Sequence, residues 1–362
     1  MTVYIAYLVA ILIEAWLIKP QKSDKKKFAF LCVAFLELVA FTGLRAYNIG
    51  SDTETYLRYI DKYRGVSFRE IFDFSNAEFE RGYTVFMRIC SYFNFTKTEF
   101  LFLISIVTYF PFFVFIYRYS DYPEVSVFVY FATSLFFYSL GIFRQMIAIS
   151  ICLTGVPFIT ERKPLRFFIV IFIAYLFHKT ALIWLLLYFL YPLKGAKPVK
   201  FFAIVALIIL PFGRPLAILA TKFLPEYEHY LNSKYDPNDG SYIGIAFYYI
   251  ILLMYFALNY FNRKLSKIER LSVTAFCITL VLQATAYSFD ILGRMIVYFS
   301  VFLTILVPSF LKRCCSKGER RWVMPLLIVC LTALALLQLY TGDTSYPFLF
   351  YWQYTPGAEA VL

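Results

Sequence analysis

Long apolar runs separated by short polar connections make up most of the chain. Several runs exceed the ~18 residues that indicate a membrane-spanning helix. The pattern predicts about twelve helices, at 3–18, 28–44, 100–117, 125–140, 144–160, 165–177, 180–192, 199–219, 243–261, 271–288, 294–311 and 322–340. We therefore expect an all-α polytopic integral membrane protein, with residues 1–362 forming a single membrane domain.

Basic residues cluster at alternate connections along this pattern. The basic connections are 19–27, 160–166, 192–200, 262–270 and 311–321. Lys and Arg are enriched in cytoplasmic loops, so these connections are expected on the cytoplasmic side. Both termini, the loops 45–98 and 221–242, and the tail 341–362 are then expected outside. The net charge of +12 thus indicates orientation and anionic lipid contact, with no nucleic-acid partner.

Two segments must behave specially for this alternation to hold. Residues 82–95 are too short to cross and carry Arg88, which favours an interfacial or re-entrant helix in the first outer loop. The run 165–192 must form two passes that turn at His178 and Lys179. Each short pass of thirteen residues rises only about 20 Å, so the turn is expected to lie below the outer surface. We therefore predict a polar, outward-opening cavity lined by His178.

Cations also gather at the outer ends of the predicted helices. Arg45, Arg144, Arg294 and Lys179 all fall on the outer side of the predicted topology. The planar fork of donors on arginine matches phosphate oxygens, so the three arginines favour a pyrophosphate-bearing ligand. Two alternatives remain open for each arginine. One is contact with lipid headgroups, and the other is ion pairing with Asp52, Glu80 or Asp290.

Motifs for metal, nucleotide or hydrolytic chemistry are not found in the sequence. Asp52 and Glu54 lie two residues apart and do not face each other on a helix. The seven cysteines contain no C-x-x-C pair, so neither a disulfide framework nor a metal site is indicated. We expect no metal and no cofactor.

Six short motifs span nearly the whole chain: GLRAYNIGSDTETY (43–56), FERGYTVF (79–86), FRQMIA (143–148), LFHKTALI (176–183), LGRMIVYF (292–299) and SYPFLFYW (345–352). In order and spacing they resemble the EpsG-type members of the Wzy-like bacterial polysaccharide polymerases. Ser51 and Thr180 are mild variants of the family pattern. Arg81 stands where the family commonly has proline.

The resemblance implies an enzyme of the bacterial cytoplasmic (inner) membrane whose active site faces outward. Such glycosyltransferases polymerise repeat units of a capsule, exopolysaccharide or O-antigen. Donor and acceptor are both glycans linked to undecaprenyl pyrophosphate, and the reaction releases undecaprenyl pyrophosphate without a metal. A flippase and a chain-length regulator are the further partners implied.

The candidate catalytic residues follow from combining the resemblance with the outward cations. Arg45, Arg144 and Arg294 are expected to face the departing pyrophosphate. His178, Asp52 and Glu80 are alternative bases for the attacking hydroxyl.

The same motifs supply candidates for substrate binding. Besides Arg45, they are Thr53, Tyr56, Tyr83, Gln145 and Tyr298.

Three other functions share part of this pattern. A flippase for the same lipid-linked repeat would have similar cations, but it should present polar groups on both faces and often carries internal repeats. An O-antigen-type ligase is barely separable from a polymerase by sequence. A membrane acyltransferase is disfavoured, because its histidine should face the cytoplasm.

The outward cavity predicts that position 178 is reachable from outside the cell. A cysteine introduced at position 178 should react with a polar, membrane-impermeant thiol reagent added to intact cells. The unsubstituted chain, labelled in parallel, gives the background from its own cysteines. A cysteine at 178 that stays unlabelled would contradict the outward cavity.

Overall fold

A computed structural model describes residues 2–75, 77–212, 264–286, 293–341 and 348–353, together with 215, 218–219, 222, 246 and 248–253. Among these residues the regular structure is helical, apart from one isolated β-bridge between Arg45 and Phe350. The predicted outer loop 221–242, most of the predicted helix 243–261, Asp290 and most of the tail 341–362 lie outside the described residues.

Sixteen α-helices are assigned here within the described residues. They are α1 (Thr2–Ile18), α2 (Asp24–Gly43), α3 (Thr53–Lys62), α4 (Arg81–Tyr92), α5 (Lys97–Tyr119), α6 (Pro123–Ala132), α7 (Ser134–Ser139), α8 (Phe143–Thr154), α9 (Val156–Thr160), α10 (Pro164–Phe177), α11 (Leu185–Leu190), α12 (Ala196–Ile209), α13 (Lys267–Ala286), α14 (Gly293–Ser300), α15 (Leu303–Cys314) and α16 (Lys317–Thr341). Short 3-10 segments lie at Pro20–Lys22, Glu70–Phe72, Lys179–Trp184, Leu210–Phe212 and Tyr351–Gln353.

Four helical stretches within the described residues are long and apolar enough to cross a membrane. They are Val3–Lys22, Lys97–Tyr119, Lys267–Ala286 and Lys317–Gln338, and α14 with α15 would add a fifth as one span bent by 49°. The described residues are thus all-α with four or five clear spans, which is consistent with a membrane protein, and the twelve predicted spans are not confirmed.

Part of the shortfall has a physical origin. The apolar runs 125–140 and 144–160 are each interrupted: extended backbone at Thr133 separates α6 from α7, and Gly155 separates α8 from α9. The helices on either side are then too short to span alone. Parts of 199–219 and 243–261 lie outside the described residues.

The chain divides into two compact units. The first contains residues 1–158, 163–182 and 325–362, and the second contains 159–162 and 183–324. In the first, α5 packs against α2 and α8, and α8 packs against α10. In the second, α12, α14 and α15 pack on α13. The single membrane domain stays a prediction, because this division reflects only how densely residues contact one another within each unit.

The predicted outer loop 45–98 packs on the rest of the first unit through α3 and α4. Each helix is amphipathic and buries one face, and the two faces meet in a cluster that includes Leu57, Ile60, Met87 and Phe100. The sequence predicts a helix within residues 82–95 that does not cross the membrane, and α4 lies there. Its twelve residues rise only about 18 Å. Its placement at a membrane interface stays a prediction.

Arg45 holds the start of this loop together. Its side chain is 1% exposed and donates from Nε to Ile49 O at 3.4 Å, from Nη2 to Leu140 O at 2.9 Å and from Nη1 to Thr42 O. The backbone on either side of Arg45 pairs with residues 349–351 of the tail. The guanidinium thus joins the end of α2, the loop and the α7–α8 connection.

Gly50 lies where this loop touches the α7–α8 connection. Its φ of +98° favours glycine, and a Cβ at this position would lie 2.1 Å from Leu140 O. Gly65 has a similar φ of +80°, but a Cβ there would meet nothing within 4 Å. A substitution at Gly65 therefore tests backbone strain alone, whereas one at Gly50 tests backbone strain and steric crowding together.

We predict that Gly50→Ala destabilises the protein far more than Gly65→Ala. Gly65→Ala should cost about 1 kcal/mol from the left-handed backbone alone. Gly50→Ala should cost at least about 3 kcal/mol, because the loop must also move away from Leu140. Melting temperatures of the purified variants in detergent measure both effects. Equal shifts would show that the loop does not depend on the contact with Leu140.

Candidate active site

Glu80 is the centre of a polar cluster in the first unit. Its Oε2 accepts a hydrogen bond from Arg144 Nη1 at 2.6 Å, and its Oε1 lies 2.9 Å from His178 Nδ1. The exposed fractions of the three side chains are 11% for Glu80, 27% for Arg144 and 22% for His178. The largely buried carboxylate of Glu80 therefore binds the Arg144 guanidinium and the His178 imidazole at the same time.

Helix ends place these three side chains. Glu80 immediately precedes α4, Arg144 lies in the first turn of α8, and α10 ends just before His178, whose backbone is extended at φ −158°. A Cβ at Gly82 would lie 2.8 Å from Leu176 O. Only glycine therefore lets the start of α4 approach the end of α10 this closely, which brings Glu80 to His178.

Aromatic rings line one side of the cluster. The Arg144 guanidinium lies over the Phe79 ring at 5.0 Å and the Tyr56 ring at 5.9 Å, and Arg144 Nε donates to the Tyr56 hydroxyl at 3.3 Å. Tyr56 in turn stacks on Phe143 at 5.0 Å. These contacts restrict the guanidinium to one orientation.

The carboxyl of Glu80 is held in its ionised form. Burial by itself raises the pKa of this group, but the hydrogen bond to His178 and the charge of Arg144 outweigh burial and lower the pKa to about 2. An ionised carboxylate can only accept hydrogen bonds, so His178 Nδ1 carries the proton between them. The other ring nitrogen, Nε2, is then the basic one.

Two of the predicted site residues that lie near this cluster have mainly structural contacts. The hydrogen bonds that Arg45 donates within the described residues all go to backbone carbonyls. Thr53 is fully buried, and its hydroxyl bonds Ile49 O at 2.8 Å and Leu140 O at 2.7 Å. Both residues donate to the main-chain oxygens of Ile49 and Leu140.

Three other predicted site residues of the first unit, Asp52, Tyr83 and Gln145, differ in burial and in their contacts. Asp52 immediately precedes α3 and is half-buried, and its carboxylate makes no hydrogen bond within the described part of the chain. Tyr83 is buried against Tyr56, with ring centroids 5.4 Å apart, and its hydroxyl has no partner among the described residues. Gln145 is buried in α8 beside Arg144.

The remaining two predicted residues belong to the second unit. Arg294 is half-buried in the first turn of α14. Tyr298 is fully buried, and its backbone carbonyl accepts a hydrogen bond from Trp184 Nε1 at 3.1 Å. The structure thus brings Tyr56, Glu80, Arg144 and His178 together in one unit and places Arg294 and Tyr298 in the other.

Two contributors were missed by the sequence reasoning. Phe79 forms the ring nearest to Arg144, and the backbone N–H of Lys179 donates to Glu80 Oε1 at 3.4 Å. Phe79 adjoins Glu80 in the segment FERGYTVF, which was the available signal for it. The amide of Lys179 carries no such signal, because every residue except proline has one.

Groups of three or more His, Cys, Asp or Glu side chains that could bind a metal are not found among the described residues. The nearest approach is the pair Glu80 and His178, whose Nδ1 and Oε1 already bond each other. The cluster is therefore centred on a carboxylate whose two oxygens already bind Arg144 and His178.

One family model matches this chain. It is described as the EpsG family, and the match covers residues 28–355. Neither the comparison with curated proteins nor that with solved structures finds a match. All residues of the polar cluster lie inside the matched range.

The shared carboxylate predicts a pH-dependent stability that Glu80→Gln removes. A carboxyl whose pKa falls from 4.5 to about 2 on folding stabilises the folded state above pH 4.5. That stability is lost as pH falls toward 2. Unfolding of the wild type is followed in detergent by circular dichroism between pH 6 and pH 3 and should show this loss. Glu80→Gln should show a smaller loss, because other carboxyls with a lowered pKa, such as Asp61 and Glu78, remain.

At pH 7 the same variant should lose about 2 kcal/mol, the value of hydrogen bonds to a charged group. Glu78→Gln is the matched control, because Glu78 forms an exposed pair with Lys62 that should contribute less than about 1 kcal/mol. Identical losses in the two variants would contradict a special role for Glu80.

Proposed function

The chain belongs to the EpsG family, and on that premise we propose that it polymerises lipid-linked oligosaccharide repeat units into a surface polysaccharide. Family membership suggests a polysaccharide polymerase-type glycosyltransferase embedded in a membrane. The observation that carries the proposal is the convergence of three separate motif segments. FERGYTVF, FRQMIA and LFHKTALI each contribute one side chain to the polar cluster.

In the proposed reaction, a hydroxyl of the acceptor sugar attacks the anomeric carbon of the donor glycan. The new carbon–oxygen bond forms as the bond to the pyrophosphate oxygen breaks, and undecaprenyl pyrophosphate leaves with the electron pair. The hydroxyl proton passes to a base. Both substrates reach the site from the membrane, with the site on the outer side of the bacterial cytoplasmic membrane. A flippase would supply the repeat units, and a chain-length regulator would limit the product.

Arg144 is proposed to stabilise the leaving pyrophosphate. Its Nε and Nη1 are engaged by Tyr56 and Glu80, while Nη2 makes no hydrogen bond within the described residues. A fixed guanidinium with remaining donors can stabilise negative charge as it develops. Arg294, from the late motif LGRMIVYF, is proposed to contribute the second cation.

His178 is the proposed base, with Glu80 as its positioning residue. An ionised glutamate bound at both oxygens is a poor proton acceptor, whereas Nε2 of a neutral imidazole is a good one near pH 7. Glu80 fixes the ring orientation and stabilises the imidazolium that forms. Asp52 is the alternative base, since its carboxylate makes no hydrogen bond within the described residues.

Arg45 and Thr53 are proposed to act indirectly. The acceptors around Arg45 are backbone carbonyls, so this guanidinium serves the loop that carries Asp52 and Tyr56. Tyr83 and Gln145 are proposed to shape the wall behind Tyr56 and Arg144, and Tyr298 is proposed to play the same role behind Arg294. No metal or cofactor enters this mechanism.

Replacing the arginine fork with a point charge tests the proposal. Arg144→Lys and Arg294→Lys should each reduce polymer formation by roughly 10- to 100-fold, because lysine cannot reproduce the planar donors. Polymer length is read from cell-surface glycan on gels. Arg81→Lys is the matched control. Arg81 is exposed and lies next to Glu80, and its guanidinium lies over the Phe74 ring at 5.4 Å.

Three outcomes would change the assignment. Normal polymer in both Lys variants would remove the pyrophosphate role, and normal polymer in His178→Ala would move the base to Asp52. Deletion of the gene separates the functions themselves. A polymerase leaves single-repeat glycolipid exposed outside, a flippase leaves it inside, and a ligase leaves long chains still bound to the lipid carrier.

A further inference from the structure

A polar cavity lies in the predicted outer loop 45–98, away from Glu80. Its volume is about 300 Å³, and its lining includes Lys62, Tyr63, Glu70, Asp73 and Arg88. This volume falls at the lower end of the range of about 300–1,000 Å³ that is typical of small-ligand sites. Nothing in the mechanism above uses these residues.

Arg88 forms the floor of this cavity. It is 7% exposed, and its Nη1 donates to Glu70 O at 2.7 Å and to Asp73 O. Its Nε and the hydroxyl of Tyr63 are both buried, and neither has a hydrogen-bond partner among the described residues. Buried polar groups are rarely left unpaired, so two such groups on residues that surround one cavity favour a polar ligand there.

The carboxylates at the cavity are oriented with acceptor capacity to spare. Oε2 of Glu70 accepts from Ser67 N at 2.8 Å and Ser67 Oγ at 2.6 Å, and Oδ1 of Asp73 accepts from Ser75 N at 2.9 Å. A carboxylate has about four acceptor sites, so each group keeps acceptor capacity for a ligand hydroxyl. These hydrogen bonds also lower the pKa of both groups, which keeps them ionised at neutral pH.

The charges at the cavity nearly balance. Lys62, Arg64 and Arg88 face Glu70 and Asp73, and Lys62 and Arg64 also pair with carboxylates nearby, at 2.7 Å and 3.0 Å respectively. A site for phosphate or an anionic lipid would show an excess of unpaired cations. Three cations interspersed with four carboxylates (Glu70, Asp73 and the pair partners Asp61 and Glu78) instead match the hydroxyls of an uncharged sugar.

The cavity and the candidate active site lie at opposite ends of the same two helices. Tyr56 contacts Tyr83 near the starts of α3 and α4, and Ser91 Oγ donates to Ile60 O near their ends at 3.1 Å, so the helices run in the same direction. Lys62 follows Tyr56 by six residues, and Arg88 follows Glu80 by eight. The two sites are thus separated along the helices by about 9–12 Å.

We propose that this cavity binds an uncharged sugar residue of the glycan, a short oligosaccharide length away from the reacting bond. This inference rests on the proposed polymerase function. It assigns α3 and α4 a second role, because the helices that position Tyr56 and Glu80 also hold the substrate chain. The cavity would then contribute to selecting the correct repeat unit.

Conservative variants test the cavity without disturbing the fold. Tyr63→Phe removes only the unpaired hydroxyl, and Asp73→Asn keeps an oxygen for Ser75 N while removing the charge. Tyr92→Phe, an exposed tyrosine at the end of α4 that does not line the cavity, is the control. The probe is a set of one- and two-repeat oligosaccharides released from the producing strain's own polysaccharide.

Binding to the full-length protein in nanodiscs is measured by calorimetry. Each cavity variant should raise the Kd about 5- to 10-fold, the value of one hydrogen bond, while Tyr92→Phe leaves it unchanged. The KM for the lipid-linked substrate should rise in parallel, with kcat little altered. Inorganic phosphate should not compete.

Two results overturn the proposal, and one separates it from the polymerase function. Kd values within twofold of wild type in both cavity variants, with unchanged melting temperatures, would exclude the cavity as a sugar site. Competition by phosphate would reassign it to an anionic ligand. Weakened oligosaccharide binding in a protein whose Arg144→Lys variant still polymerises normally would support the cavity while rejecting the proposed role of Arg144.

Discussion

A buried guanidinium must find hydrogen-bond acceptors, and the part of the first unit around the loop after α2 is arranged around that requirement at Arg45. Three carbonyls, from the end of α2, from the loop and from the α7–α8 connection, accept hydrogen bonds from it. The tail residues 349–351 pair with the backbone on either side. The loop that leads into α3 therefore begins from a fixed point, although it contains little regular structure.

The polar cluster depends on this arrangement through a chain of contacts. Fixing the loop at Leu140 places α3 beside the first turn of α8, and Tyr56 then contacts Arg144. The close approach of Gly82 to Leu176 brings α4 to the end of α10. Glu80 lies where these two constraints meet. The proposed chemistry thus uses helix ends, where side chains can reach inward without interrupting a span.

The sequence predicts the helices well where apolar periodicity and charged flanks coincide, as for α5 and α13. It fails at Thr133 and Gly155, because apolar residues continue across both interruptions. The pairing of Glu80 with His178 joins residues 98 positions apart, and periodicity carries no information on such distances. Arg45 was expected to bind phosphate. Carbonyl and phosphate oxygens make the same demand on a guanidinium, and only the folded loop distinguishes them.

One acceptor has a consequence for how this protein can change over time. The carbonyl oxygen of Leu140 receives hydrogen bonds from both Arg45 and Thr53. A carbonyl belongs to the main chain, so a substitution at position 140 keeps this acceptor whatever side chain arrives. The side chain at position 140 is therefore not needed for these two hydrogen bonds, whereas the side chains of Arg45 and Thr53 are the donors and cannot be replaced without losing them. Relatives could therefore keep the same geometry while their residues at 140 differ.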